Sequence, residues 1–167
     1  TEETLKGLAA LLERKSAEYG HPIYIIADEP YRELVYGGVK VPFIPCLYKN
    51  TIVCYSYSKS LSLPGERIGY VYVPGFADDA HAVYAAISGA ARIMGHVCPP
   101  TLMQKVIEYC AEERPDLVAY DENRNLLYNS LREMGYECAK PDGAFYLFVK
   151  APNGDANAFS EKAKLEH

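Results

Sequence analysis

Three short, continuous apolar runs limit what this chain can fold into. They are Pro22-Ile23-Tyr24-Ile25-Ile26-Ala27, Thr51-Ile52-Val53-Cys54-Tyr55-Ser56 and Ile68-Gly69-Tyr70-Val71-Tyr72-Val73. Each is too short for a core helix and lacks the strict alternation of a strand with one wet face. They read as strands covered on both faces, as in a parallel sheet. The segments between them carry helical spacing. Thr4 to Arg14 is amphipathic, with Gly20 as its stop, and Phe76 to Met94 is Ala-rich and helical up to the break at Pro99-Pro100. Leu102 to Glu112 continues as helix. Asp116 to Met134 reads as a long amphipathic helix, with Pro115 near its first turn and Gly135 at its C′ position. Tyr136–Cys138 and Ala144–Val149 read as strands joined by Pro141-Asp142-Gly143. Alternating strands and helices, then a long helix feeding a hairpin, predict the end of one α/β layer and the start of a second subdomain.

Composition narrows the class of protein. A net charge of −5 over 167 residues gives no electrostatic footing for nucleic acid or an anionic membrane surface. No run reaches the roughly 20 apolar residues of a membrane span. Cys46, Cys54, Cys98, Cys110 and Cys138 form no CxxC pair and have no histidine at metal spacing, so they read as buried thiols of a reducing cytoplasm. His21, His81 and His96 stand isolated, and no metal site is expected. The 15 tyrosines read mostly as half-buried faces of helices and strands. The opening Thr1-Glu2-Glu3-Thr4, without methionine, and the closing Leu165-Glu166-His167, which reads as the remnant of a histidine tag, suggest an excised piece of a longer protein.

Two segments carry chemistry. Ser56-Tyr57-Ser58-Lys59-Ser60 places one lysine among three serines, and Arg67 follows eight residues after the lysine in the Gly/Pro-broken stretch Leu63-Pro64-Gly65-Glu66-Arg67. A lysine amine forms a Schiff base with a carbonyl, while hydroxyls and a guanidinium hold phosphate. A cofactor with both an aldehyde and a phosphate needs that combination, and pyridoxal 5′-phosphate is such a cofactor. The second segment, Asp28-Glu29-Pro30-Tyr31, lies at the C-terminal end of an expected strand, the edge where open α/β sheets bind ligands. A carboxylate there can keep a pyridine nitrogen protonated, and a phenol three residues on can hydrogen-bond the ring oxygen. Asp28 is equally suited to capping a short helix begun by Pro30, and Lys59 to being an ordinary solvated lysine.

Together, Asp28-Glu29-Pro30-Tyr31 and the run from Ser56 to Gly69 resemble the class I and II aminotransferases, the aspartate-aminotransferase-like branch of fold-type-I pyridoxal-phosphate enzymes. The two motifs come in the family's order, with Asp28 and Lys59 31 residues apart. Pro141-Asp142-Gly143-Ala144-Phe145-Tyr146 resembles the family's small-domain segment, so the likeness spans nearly the whole chain. The resemblance implies that Lys59 is both the Schiff-base lysine and the proton-moving base. It implies Asp28 as partner of the ring nitrogen, Tyr31 as partner of the ring oxygen, and Ser56, Ser58 and Arg67 as phosphate ligands. It implies residues 1–113 as the C-terminal portion of a large cofactor-binding domain, a mostly parallel sheet with helices. Residues 114–164 would begin an α+β small domain, and 165–167 would be tag. An amino acid and a 2-oxo acid are the implied substrates, and a cytoplasmic homodimer the implied assembly.

Several family elements are missing: the Gly-rich phosphate loop, the ring-stacking aromatic, the asparagine near the ring oxygen and the arginine that clamps the substrate carboxylate. The chain alone is therefore expected to be inactive. Arg92, near Pro99-Pro100, sits one position off the register of the family's neighbour-subunit arginine and reads as a helix-surface residue. Two other readings stay open, a carbon–sulfur β-lyase on the same scaffold and a non-catalytic aminotransferase-like effector domain of a transcriptional regulator.

Overall fold

The computed structural model describes residues 1–166 as two compact units. The first comprises Thr1–Glu33 with Lys40–Pro115, and the second Leu34–Val39 with the chain from Asp116 onward.

The first unit opens with α1, Glu2–Tyr19. Thr1 caps it by accepting from the Thr4 N–H, and Gly20 ends it at φ 72°. That left-handed geometry is nearly free of steric penalty only for glycine. The strands β1 (Ile25–Asp28), β2 (Thr51–Ser56) and β3 (Gly69–Tyr72) form one sheet in that order. β1 and β2 are parallel, Ile25 aligned with Thr51 and Asp28 with Cys54. β3 runs antiparallel to β2, pairing Tyr55 with Tyr70 and Ser56 with Gly69, where the apolar run alone points to a third parallel strand. The physical reason lies in the connection. Residues 57–68 are taken up by a single helical turn and a loop, with no crossover helix to bring the chain back parallel.

The register sorts the side chains onto two faces. Ala27, Thr51 and Val53 fall on one face and are buried. Ile26, Ile52, Asp28, Cys54, Ser56 and Val71 fall on the other. Ile26 there is 70% exposed, so β1 is not covered on both faces within this chain, contrary to what its apolar run suggests. Beyond the sheet, α3 (Ala80–Ile93) and α4 (Thr101–Cys110) carry no buried residue. The cysteines follow suit. Cys46 and Cys98 are exposed and Cys54, Cys110 and Cys138 only half-buried, correcting the expectation of buried thiols. A thiol is buried only where another element packs on it, and α4, which ends on Cys110, has no such cover here.

In the second unit Asp116 caps α5, Leu117–Glu133, by accepting from Ala119 N–H, and Gly135 follows its end at φ 89°. Leu34 and Tyr36 form the unit's core. The hairpin expected over residues 136–149 does not form a ladder. One antiparallel bridge joins Cys138 and Val149, because the chain at Gly143 pairs with Val35 instead and Ala144 turns left-handed at φ 58°. A last helix, α6 (Ala156–Glu166), is not among the expected elements. Asp155 starts it by accepting from Ala158 N–H, and it runs through Leu165 and Glu166, the first two residues of the expected tag remnant. His167, the third, lies outside the described residues. None of the described helices is long and apolar enough to cross a membrane.

Candidate functional site

The open face of the sheet collects the first group. Asp28 ends β1 beside Cys54 of β2, and Ser56 lies two residues further along β2 on the same face. The Asp28 residue is exposed. Burial and then the nearby Asp28 charge push the Cys54 thiol up from its ordinary value, in keeping with their paired register. The neighbouring acid has another fate. Glu29 pairs with Arg32 at 2.7 Å, and Arg32 goes on to donate to the carbonyls of Val41 and Pro42 while its guanidinium stacks on Phe43. Glu29 is thus consumed in fixing the turn, and Asp28 is the acid presented outward.

β2 leads directly into α2, a single turn over Tyr57–Ser60. The lysine therefore stands on a short helix rather than in the open loop its sequence suggests. Ser56 caps this turn through the Ser58 N–H at 3.2 Å, and the Ser56 and Ser58 hydroxyls lie 2.6 Å apart. Lys59 Nζ lies 5.6 Å from the centre of the Tyr31 ring, so the two sequence motifs meet. Ser60 is buried, and its Oγ accepts from the Tyr55 hydroxyl at 2.8 Å.

Arg67 is placed differently. Its backbone is left-handed at φ 51°, a conformation that non-glycine residues seldom adopt and that recurs at ligand clamps. One guanidinium N–H donates to the Pro64 carbonyl at 2.8 Å within its own loop, and no hydrogen bond joins it to Ser56 or Ser58. Two residues on, Gly69 lies opposite Ser56. A Cβ there would meet the Tyr55 carbonyl oxygen at 2.2 Å, so only glycine fits so close to the start of α2. Arg92 is exposed in the last turn of α3.

The donor set suits the cofactor named above: one amine, one outward carboxylate, a phenol beside the amine, paired hydroxyls, and a guanidinium with most of its donors turned to solvent. Sequence reasoning gave no role to Tyr55, and Ser60 figured only as one of the serines around Lys59. Strand alternation through Thr51 and Val53 was the available signal for Tyr55, since it places that ring on the core face. A hollow of about 90 Å³ occurs in the second unit, walled by Tyr36, Tyr120, Leu127 and Phe145. Its one charged wall, Arg124, already serves Asp121 and the Pro141 carbonyl, so it offers a ligand no charge.

Known proteins resemble this chain in sequence and in fold. The profile of the family "Aminotransferase class I and II" matches residues 1–167. Aspartate aminotransferase of Geobacillus stearothermophilus is 31% identical over 95% of this chain and 39% of its own length. Aromatic-amino-acid aminotransferase 2 of Thermococcus litoralis is 28% identical over 84% of the chain and 38% of its own. Among solved structures, an amino transferase from Eubacterium rectale superposes with a TM-score of 0.93 at 62% identity, covering 99% of this chain and 42% of that one. The chain therefore spans about two fifths of the length of the relatives it matches. Family profile, fold and motif order coincide: the chain belongs to the class I and II aminotransferases.

Proposed function

We propose that this chain supplies the lysine-bearing part of a pyridoxal-phosphate enzyme that exchanges an amino group between an amino acid and a 2-oxo acid. The supporting observation is Lys59 Nζ standing 5.6 Å from the Tyr31 ring centre, in the turn that directly follows β2 and its Ser56. When bound, the cofactor supplies an electron sink for negative charge developing at the substrate Cα. Lys59 Nζ would hold the cofactor at its aldehyde carbon and would take up and return the substrate Cα proton. Asp28 keeps the ring nitrogen protonated through a charge-assisted hydrogen bond. Tyr31 donates to the ring oxygen. Ser56 and Ser58 hold the phosphate by their hydroxyls, and Arg67 by its planar fork, which suits two oxygens at once.

In this reading residues 1–113 are the C-terminal portion of the cofactor-binding large domain and 114–164 the start of the small domain. The division of the chain after Pro115 supports that assignment. Family membership is the support for a homodimer, for a cytoplasmic location and for the substrate classes. The relatives the chain matches are aminotransferases by name, which favours amino transfer over the lyase and regulator readings. The 167-residue chain alone is expected to show no turnover.

The full-length protein tests the proposal. With pyridoxal phosphate and a panel of amino acids and 2-oxo acids it should transfer amino groups, and Lys59→Ala should lower kcat by more than about 10³-fold. Wild-type turnover in that variant contradicts the assignment.

A further inference from the structure

A four-residue helix cannot hold itself together, because nucleating a helix fixes several residues for one hydrogen bond. In α2 the closing bonds are long: Leu61 N–H to Tyr57 O at 3.3 Å and Ser62 N–H to Lys59 O at 3.4 Å. Its entry is fixed by the Ser56 cap and by Tyr57 N–H donating to Ile68 O at 3.2 Å. Past Lys59, the side-chain tie is the bond from Tyr55 to Ser60. Lys59 thus stands in a turn that is held to β2 on one side by Ser56 and on the other by Ser60.

We propose that Tyr55 and Ser60 are positioning residues for Lys59, their hydrogen bond locking the helical turn that carries the amine onto the core face of the sheet. Three observations support this. Ser60 is only 4% exposed, so its hydroxyl is held away from solvent. The Tyr55 ring is clamped, stacked on Tyr70 at 5.0 Å and met edge-on by Tyr57 at 5.2 Å, so its hydroxyl has little freedom to move away. Glu33, with its Oε2 buried, bears on the same three tyrosines and raises each of their hydroxyls. Burial pushes the Tyr55 hydroxyl up to about 12 against the opposing effect of the Ser60 bond, so it stays protonated across the range in which enzymes work.

The inference rests on Lys59 being the cofactor amine, and the test separates the two. Tyr55→Phe keeps the ring stack and removes only the hydroxyl, and Ser60→Ala removes the other partner. In the full-length protein each should lower kcat about tenfold with substrate KM within about twofold, the signature of a misplaced reacting group. The pH midpoint of the bound cofactor's visible absorption should shift in both. The double variant should be no worse than either single one. In cofactor-free protein, amide exchange across Tyr57–Leu61 should accelerate in both. Lower melting temperature with kcat and midpoint unchanged would leave the bond a purely structural one and overturn the proposal. If Tyr55→Phe does not fold, Ser60→Ala decides by the same readouts. A wild-type protein that binds no pyridoxal phosphate would instead overturn the functional reading, while the exchange measurement still tests the lock.

Discussion

Arg67 and Arg124 carry the same guanidinium in opposite circumstances. Arg124, in the second unit, has a side chain only 12% exposed. It binds Asp121 through Nε and Nη2, donates to the Pro141 carbonyl at 2.6 Å, and lies 4.3 Å from the Tyr36 ring centre. The edges and one face of the group are occupied by its own unit. Arg67 is exposed, left-handed, and among the described residues its side chain bonds to a carbonyl three residues back and to no other group. Asp28 and Glu29 repeat the contrast in adjacent positions, one outward on the sheet face and the other paired with Arg32. Charge alone does not mark a site. A charged group whose partners are all supplied by its own unit holds the fold, and one left facing outward from a rigid element is available for a ligand.

Substitutions at Asp28, Arg124 and Arg67 and one titration bear on this contrast. The largest effect expected is at Asp28. Asp28→Asn should lower kcat about 100-fold while cofactor affinity and melting temperature change little, because the carboxylate keeps a ring nitrogen protonated and supports no neighbour. Equal loss of affinity and rate would show that Asp28 is an anchor instead. At Arg124 the effect should fall on stability. Arg124→Ala should cost about 2–3 kcal/mol in denaturant unfolding, since the Pro141 carbonyl and Asp121 lose their donor and Tyr36 its cover. Arg124→Lys should recover only a small part, because an ammonium cannot reproduce the fork or the stack.

Arg67→Ala should do the reverse, weakening cofactor binding about tenfold while stability stays within about 0.5 kcal/mol. A large loss of stability there would erase the distinction between the two arginines. The last effect concerns pH. The Tyr55 hydroxyl is raised by burial from 10 to about 12, so folding favours its protonated form. That contribution to stability is fully present below pH 10 and is lost as pH rises toward 12. Melting curves should fall over that interval, and less steeply in Tyr55→Phe.

Much of the first unit could be read from the sequence, because its signals are local. Thr1 and Gly20 bound α1, and continuous apolar runs mark β1 and β2. The lysine and aspartate motifs sit at strand ends, where the register then puts Asp28 and Ser56 on one face. What escaped the sequence depends on partners distant along the chain. The direction of β3 is set by the short connection after Lys59, not by its composition. The expected hairpin yields to Val35, over a hundred residues upstream of its bridge partner Gly143. Burial of the cysteines does not follow from their apolar character, which says what a side chain tolerates, while burial needs a covering element. Tyr55 looks like one more tyrosine in a tyrosine-rich chain, and only the strand's alternation distinguishes it.

The central claim is that Lys59 is the cofactor amine, and peptide mapping tests it most directly. The full-length protein is incubated with pyridoxal phosphate, reduced with borohydride and digested, and the lysine carrying the added mass is located. A single modified site is expected, Lys59, lost in Lys59→Arg because a guanidinium does not form the imine. Modification centred on any other lysine, or none in protein that has retained its fold, would contradict it.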